Sequence, residues 1–546
     1  MNRPTRTSAR LRTLLLLLVS LSVVVASPGV AHATVYAQIE GTGSTWSQLI
    51  VAQWISDVNA NGMQVVYTGG GSSKGRRDFA NDSVDFAISE IPYQGKDEQG
   101  NADTSNGRGY AYLPIVAGGT AFTYQLKVGG QMVRNLRLSG QTLSKIFTDK
   151  ITNWDDPAIT QDNNGRKFPD LPITPVVRSD GSGTTAQLTT WMDKEYPSIW
   201  RPYFGHAGLT SYYPIKNGSR MVGQAGSDQV MNTVSSFAGN GDIGYVEYSY
   251  PVNKNYPVVK VLNKAGYFVE PTQYNTAVAL TKARINQDKS SQLYLTQILD
   301  QVYTNPDSRA YPISSYSYMI IPTDANDPRM STAKRQTLAD FLYYSLCQGQ
   351  SKAGPYGYSP LPLNLVQAGF SQIAKLKKAD PNVNLTNRNV TTCNNPTFVA
   401  GHLSENHLAQ IAPKPAACDK IGAGPCGSDT GNNQPSTDGG SSDPSTTNGG
   451  TNATSSSDPG TTQGNGKGNA PPGSTPGSTT VDPATGAVTE AQGGTGTVYA
   501  NATQLVSDRP ADDRAFGWLA AGELLALVLV PGIFVVARTR RRRGDG

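Results

Sequence analysis

Three glycine- and hydroxyl-rich turns constrain this chain most: Gly41-Thr42-Gly43-Ser44-Thr45, Gly69-Gly70-Gly71-Ser72-Ser73 and Asp180-Gly181-Ser182-Gly183-Thr184-Thr185. Each follows a β-rich run, from Thr34 to Ile39, Met63 to Thr68 and Ile173 to Arg178, and each opens a stretch with helical spacing. A helix start leaves backbone N–H groups unpaired and carries the positive end of the macrodipole. Glycine lets an anion approach the backbone, and serine and threonine hydroxyls add donors. Three such starts aimed at one point would form a site the size of a phosphate ion.

Further along, the two periodicities alternate. Trp46, Leu49, Ile50, Trp54, Ile55 and Val58 share a helical face, with Ser44 or Thr45 as its N-cap. Val84, Phe86 and Ile88 alternate as in a strand that ends at Glu90, and Leu143, Ile146 and Phe147 mark another helix. Leu188, Trp191 and Met192 form the apolar side of the helix after Thr185, Ile243, Tyr245 and Val246 read as a strand, and Arg335 to Leu346 reads as a helix. Such alternation predicts α/β layers around a mixed sheet. About 345 residues, from Thr34 to about Ala379, exceed one ordinary core, so two lobes are expected.

The two ends differ from this middle. Arg3, Arg6, Arg10 and Arg12 precede the apolar run Leu14 to Ala26, and Ala31-His32-Ala33 fits a cleavage site, so residues 1–33 read as a secretory signal. Phe516 to Ala537 is long enough to span a bilayer and is followed by Arg538, Arg540, Arg541, Arg542 and Arg543, which places the C-terminus (538–546) in the cytosol. Residues 428–510 read as a disordered Gly/Ser/Thr/Pro-rich linker: between Gly431 and Thr480 the only apolar side chains are Ala453 and Ala470. The predicted location is a single-pass cell-membrane protein with its N-terminal domain outside. The formal charge of +5 comes from these ends. Outside the nine terminal arginines, Glu523 and Asp545, there remain 37 basic and 39 acidic side chains, which provides no basic field for nucleic acid.

Cys347, Cys393, Cys418 and Cys426, an even number in an exported chain, suggest two disulfides. Cys347–Cys393 with Cys418–Cys426 is the simplest of three possible pairings. The spacings match no zinc pair, so no metal and no cofactor is expected. The 379–427 extension that carries three of these cysteines has no assigned role at this level.

In order along the chain stand Gly41-Thr-Gly-Ser-Thr-Trp46, Gly69-Gly-Gly-Ser-Ser73, Val84-Asp-Phe-Ala-Ile-Ser-Glu-Ile-Pro92, Asn153-Trp-Asp-Asp156, Arg178-Ser-Asp-Gly-Ser-Gly-Thr184 and Gly241-Asp-Ile-Gly-Tyr-Val-Glu-Tyr248. This ordered set resembles the periplasmic phosphate-binding proteins, the extracellular component of the phosphate-specific ABC importer, over roughly Val35 to Leu376. The resemblance implies two α/β lobes with a hinge that close on one phosphate, lobe one covering 34–117 and 258–378 and lobe two 118–257. It also implies permease subunits as partners. Carried over position by position, the ligand residues are Thr45 and Trp46 from the first turn, Ser72 from the second, and Arg178, Ser182, Gly183 and Thr184 from the third, with Asp180 orienting Arg178 and Ser44 in support.

Each of these residues has a chemistry of its own. Hydroxyls of Thr45, Ser72, Ser182 and Thr184 and the amides of Trp46, Gly183 and Thr184 can donate to an anion. Arg178 offers a planar fork, and its plain alternative is a surface ion pair with Asp180. Glu90 stands where the family usually has aspartate. An ionised carboxylate accepts only, so it can hold a protonated phosphate oxygen and repel sulfate. The extra methylene requires the backbone to retreat or Glu90 to turn away. Arg76 and Arg77 read as the solvent side of a helix.

Other function classes fit less well. A surface phosphatase needs a nucleophile with its base or a metal cluster. Asp180 occupies the first position of a would-be Gly-x-Ser-x-Gly elbow, and no histidine lies near the turns. A wall-attached adhesive protein and a phosphate sensor remain as uses of the same fold.

Overall fold

The computed structural model describes residues 36–426, except 98–99, 289, 292, 389, 391–392 and 399–405, together with 480–481 and 488–489. The signal segment, nearly all of the 428–510 linker, the Phe516–Ala537 segment and the basic tail lie outside the described residues. Among the described residues no helix is long and apolar enough to cross a membrane.

Eight strands form one sheet: β1 (Ile39–Gly43), β2 (Val65–Gly69), β3 (Phe86–Ser89), β4 (Tyr110–Tyr124), β5 (Thr174–Arg178), β6 (Val222–Gln224), β7 (Asp242–Glu247) and β8 (Ser314–Pro322). Their order is β6-β5-β7-β4-β8-β3-β1-β2. β1 runs parallel to β2 and β3, and β5 runs parallel to β6 and β7. These two parallel sets are the cores of two lobes. Between them run β4 and β8, antiparallel to each other and to their outer neighbours.

β4 joins the lobes. Tyr110 to Gly119 pair with β8, and Thr120 to Tyr124 pair with β7. At the junction, Gly118 and Gly119 are needed for space. A Cβ at Gly118 would stand 2.7 Å from both Glu247 Oε1 and the Trp46 ring, and one at Gly119 2.4 Å from Pro271. β3 is buried on both faces, so the Val84/Phe86/Ile88 alternation marks a strand but not a solvent face.

Helices follow the parallel strands: α1 (Gln48–Asn59), α2 (Ser72–Ala80), α3 (Gly183–Glu195), α4 (Gly226–Val234) and α5 (Ser249–Asn253). The helix expected over Arg335 to Leu346 is α6 (Thr332–Leu346), capped by Ser331, whose hydroxyl accepts the Lys334 amide. The helix expected at Leu143 spans Gly140–Ile146.

Two local expectations are corrected. The N-cap position of α1 is Ser47, which makes no side-chain cap bond. Ser44 instead accepts the Trp46 and Ser47 amides one turn earlier, because the strand runs through Gly41 to Gly43 and delays the helix. Arg76 does not face solvent: it is buried, forks onto Asp103 (2.8 to 3.1 Å) and reaches Ser89 Oγ (3.0 Å). The acid that draws it inward lies 27 residues away, beyond any helical pattern. Arg77 is exposed.

The cysteine-bearing extension packs on the same compact unit. Cys347 pairs with Cys393 and Cys418 with Cys426. Phe398, Leu408, Ala409 and Ala412 are buried in the main core. Arg137 donates to the carbonyls of Cys418, Lys420 and Ala423, and Lys260 pairs with Asp419 at 2.9 Å. The Cys347–Cys393 bridge spans 46 residues. Closing a loop of that length removes chain entropy from the unfolded state. Replacing both cysteines with serine is therefore expected to lower the unfolding free energy by about 4 kcal/mol in a denaturant titration. A separate unit beyond residue 446 contains the antiparallel pair Thr480–Val481 and Val488–Thr489.

Candidate anion-binding site

The sequence leads each of β1, β2 and β5 into a turn that starts a helix, and those turns meet. Gly43 (φ +136°) lets the chain reverse: its carbonyl takes the amides of Gly70 and Gly71 at 2.9 Å each. The Ser44 amide donates to Ile88 O at 2.9 Å. The second turn touches the third across the two lobes, where the Ser73 amide donates to Gly181 O (3.0 Å). A Cβ on Gly71 would stand 2.5 Å from Asp180 Oδ2, and one on Gly183 would stand 2.1 Å from Glu90 Oε2 and 2.5 Å from Ser72 Oγ. These contacts put Ser72, Glu90, Asp180 and Gly183 in one small region.

Glu90 sits at the end of β3, 1% exposed, and points inward. Ser44 Oγ (2.5 Å) and Ser317 Oγ (2.6 Å) donate to its Oε1, and Ser72 Oγ (2.6 Å) donates to its Oε2. Its carbonyl takes the side-chain amides of Gln187 (2.8 Å) and Gln297 (2.9 Å). The carboxylate is thus held by hydroxyls from the first turn, the second turn and β8.

Arg178, at the end of β5, is also 1% exposed. Its Nε donates to Asp180 Oδ1 (2.6 Å), its Nη2 donates to Asp180 Oδ2, and its Nη1 donates to Ser227 Oγ (3.1 Å). Asp180 also takes the Gly226 amide (3.0 Å). Burial alone would lower the arginine pKa, but the Asp180 charge and its hydrogen bonds, with smaller help from Tyr245 and Tyr250, together outweigh it and hold the guanidinium above its ordinary value. For Asp180 burial pushes up, yet Arg178 prevails and its pKa is lowered. The ion pair considered as a surface feature is therefore present, but buried.

The remaining residues converge on the same place. Thr45 Oγ1 and Ser227 Oγ share a hydrogen bond of 3.1 Å, and the Ser227 amide donates to Thr45 Oγ1 (3.2 Å). Ser182 caps α3 by accepting the Thr185 amide (3.2 Å). The buried Thr184 hydroxyl has no hydrogen-bond partner among the described residues. The Trp46 amide donates to Ser44 Oγ (3.0 Å), which in turn donates to Glu90. Buried hydroxyls, helix-start amides, one paired guanidinium and one carboxylate are the groups brought together here, and the first three are chemistry that can hold an anion.

A family model described as the PBP superfamily domain matches residues 28–348, more than half of the chain. The phosphate-binding protein PstS of Methanocaldococcus jannaschii is 32% identical over 349 residues, taking in 62% of this chain and 86% of that protein. The chain belongs to the PstS family within that superfamily. Another PstS, from Xylella fastidiosa strain Temecula1, is 29% identical over 342 residues, with 62% and 86% covered. Phosphate-binding protein PstS 2 of Mycobacterium tuberculosis is 28% identical over 343 residues, with 61% and 86% covered. Among solved structures, a high-affinity periplasmic phosphate-binding protein with bound phosphate aligns at 19% identity and TM-score 0.47, over 61% of this chain and 93% of that one.

Sequence reasoning missed two residues that the structure brings into this region, Ser227 and Ser317. Ser227 lies in a fourth Gly-Ser turn, Gly226-Ser227, which follows β6. That strand has three residues, Val222-Gly223-Gln224, too few to show an alternation. Ser317 lies within β8, where nothing in its neighbours' spacing marks it.

Proposed function

We propose that this protein captures inorganic phosphate outside the cell membrane and hands it to the permease subunits of an ABC-type phosphate importer. The observation that carries this reading is that the meeting turns bring into one region a Glu90 carboxylate fixed by three serine hydroxyls and a buried Arg178 guanidinium held by Asp180. Thr45, Arg178, Ser182, Gly183 and Thr184 donate to the anion, the Ser72 hydroxyl and the Trp46 amide turn to it from Glu90 and Ser44 on binding, and Glu90 accepts from the anion's remaining proton. Ser44 and Asp180 hold Glu90 and Arg178 in place. Capture and release follow from hinge motion between lobe one (34–117 and 258–378) and lobe two (118–257), with no bond made or broken.

In the same reading, residues 1–33 direct export, 428–510 act as a flexible tether and Phe516 to Ala537 anchor the chain in the membrane. Fifty residues of such composition reach roughly 40 Å, which would hold the lobes off the bilayer.

Titration of the full chain with phosphate, repeated with sulfate, tests the reading. One phosphate bound per chain and sulfate rejected is the expected result; equal binding of both, or of neither, overturns it. Loss of growth on limiting phosphate after deletion separates import from adhesive or sensing uses.

Gly183→Ala gives a second check. Its methyl group would press on Glu90 and Ser72, both pinned by hydrogen bonds. Overpacking of this kind typically costs about 1–3 kcal/mol, so affinity should fall roughly 10- to 100-fold in the same titration.

A further inference from the structure

Three tyrosines from three separate elements donate their hydroxyls to three consecutive carbonyls of the first turn. Tyr67 Oη on β2 donates to Ser44 O (2.8 Å), Tyr250 Oη on α5 donates to Thr45 O, and Tyr358 Oη donates to Trp46 O (2.7 Å). Each carbonyl shares a rigid peptide plane with the next residue's amide, and the two point in opposite directions. Fixing the oxygens of residues 44, 45 and 46 therefore fixes the direction of the N–H groups of Thr45, Trp46 and Ser47. The amides of Trp46 and Ser47 are directed at Ser44 Oγ, the hydroxyl that donates to Glu90.

The three differ in the lobe that carries them. Tyr67 belongs to lobe one through β2. Tyr358 packs edge-on against Trp46 (5.8 Å between ring centroids), and Ser359 beside it bridges to Ala117 on β4. Tyr250 instead packs in a separate apolar cluster of lobe two, with Val176, Val230, Met231, Val234 and Val246. Its hydroxyl reaches from that cluster to Thr45, whose side chain also meets Ser227 of lobe two. Lobe two thus grips Thr45 by both main chain and side chain. Burial pushes the pKa of all three tyrosines well above the ordinary value, which keeps each hydroxyl a donor.

We infer that Tyr67, Tyr250 and Tyr358 are positioning residues that hold the first turn, and through Ser44 the Glu90 carboxylate, in place for the anion, and that Tyr250 is also a latch formed on closure of the lobes. The inference rests on the phosphate reading above. A tyrosine that only fills a core would affect folding; a closure latch affects release.

The test uses the full chain with inorganic phosphate as the probe. Phosphate association and release are followed by stopped flow, and thermal unfolding is measured without phosphate. Tyr250→Phe keeps the ring and removes the hydroxyl that pairs with Thr45 O. It should release phosphate roughly tenfold faster, with association and the phosphate-free unfolding midpoint essentially unchanged. Tyr67→Phe and Tyr358→Phe remove bonds internal to lobe one, so they should weaken binding and also lower the phosphate-free midpoint. Unchanged release by Tyr250→Phe from a parent chain that binds phosphate overturns the latch. Unchanged affinity in all three variants overturns the positioning role as well. A parent chain that binds no phosphate overturns the functional reading and this inference with it.

Discussion

Arg178→Ala should weaken phosphate binding by about two to four orders of magnitude, the largest effect of any single change considered. The guanidinium is buried, forked onto Asp180 and bonded to Ser227. In binding, truncating one partner of a buried, hydrogen-bonded charge pair costs about 2–5 kcal/mol, much of it because the other charge is left unpaired. Here the orphan is the Asp180 carboxylate, which would face an incoming anion of like charge. Lysine should not restore binding, since it cannot fork onto a carboxylate. Calorimetric titration of the variant with phosphate measures the loss.

The same change should weaken a pH trend. In the parent chain Arg178 holds the Asp180 pKa below its ordinary value. Stability from the pair is therefore present above the unfolded carboxylate pKa and lost as pH falls through the lowered folded value. In Arg178→Ala burial is opposed only by backbone hydrogen bonds, the Gly226 amide among them, so the Asp180 pKa rises relative to the parent and less stability is lost as pH falls. Thermal unfolding of both proteins without phosphate at neutral and mildly acidic pH reads this sign. The variant should regain stability relative to the parent on acidification.

Glu90→Gln is expected to change selectivity more than phosphate affinity. The glutamate accepts from Ser44, Ser72 and Ser317, so both oxygens are committed as acceptors. Glutamine replaces one oxygen with an NH2 group that can only donate. The repulsion that a fully deprotonated oxyanion meets would vanish, and a new donor would face it. A hydrogen bond to a charged group contributes about 1.5–3 kcal/mol, so the sulfate-to-phosphate affinity ratio should rise roughly 10- to 100-fold. Sulfate competition against bound phosphate measures it, and an unchanged ratio would assign discrimination to another group.

Much of the site was legible because its parts are local. A strand, a glycine and a hydroxyl residue followed by helical spacing occupy about ten consecutive residues, and the three turns show this pattern. Arg178 and Asp180 are two residues apart, so their pairing was also visible. What escaped depends on contacts between distant segments. Arg76 looked like a helix-surface residue until Asp103 came to meet it, and Ser317 acts only because β8 lies beside β3. Tyr67, Tyr250 and Tyr358 carry no signal of their own, since a tyrosine in a strand or core is common and its partner carbonyl lies up to 312 positions away. The extension from 380 onward is polar in composition, yet Arg137 and Arg309 bind its carbonyls and Cys393 fastens it. Backbone oxygens leave no trace in a sequence.

The central claim is that turns far apart in the numbering serve one anion. Solving the structure of the protein with phosphate tests it most directly. One phosphate in contact at once with Thr45, Ser72, Thr184 and Arg178, with an oxygen on Glu90, is the expected result. Phosphate held elsewhere, or touched by one turn alone, would contradict it.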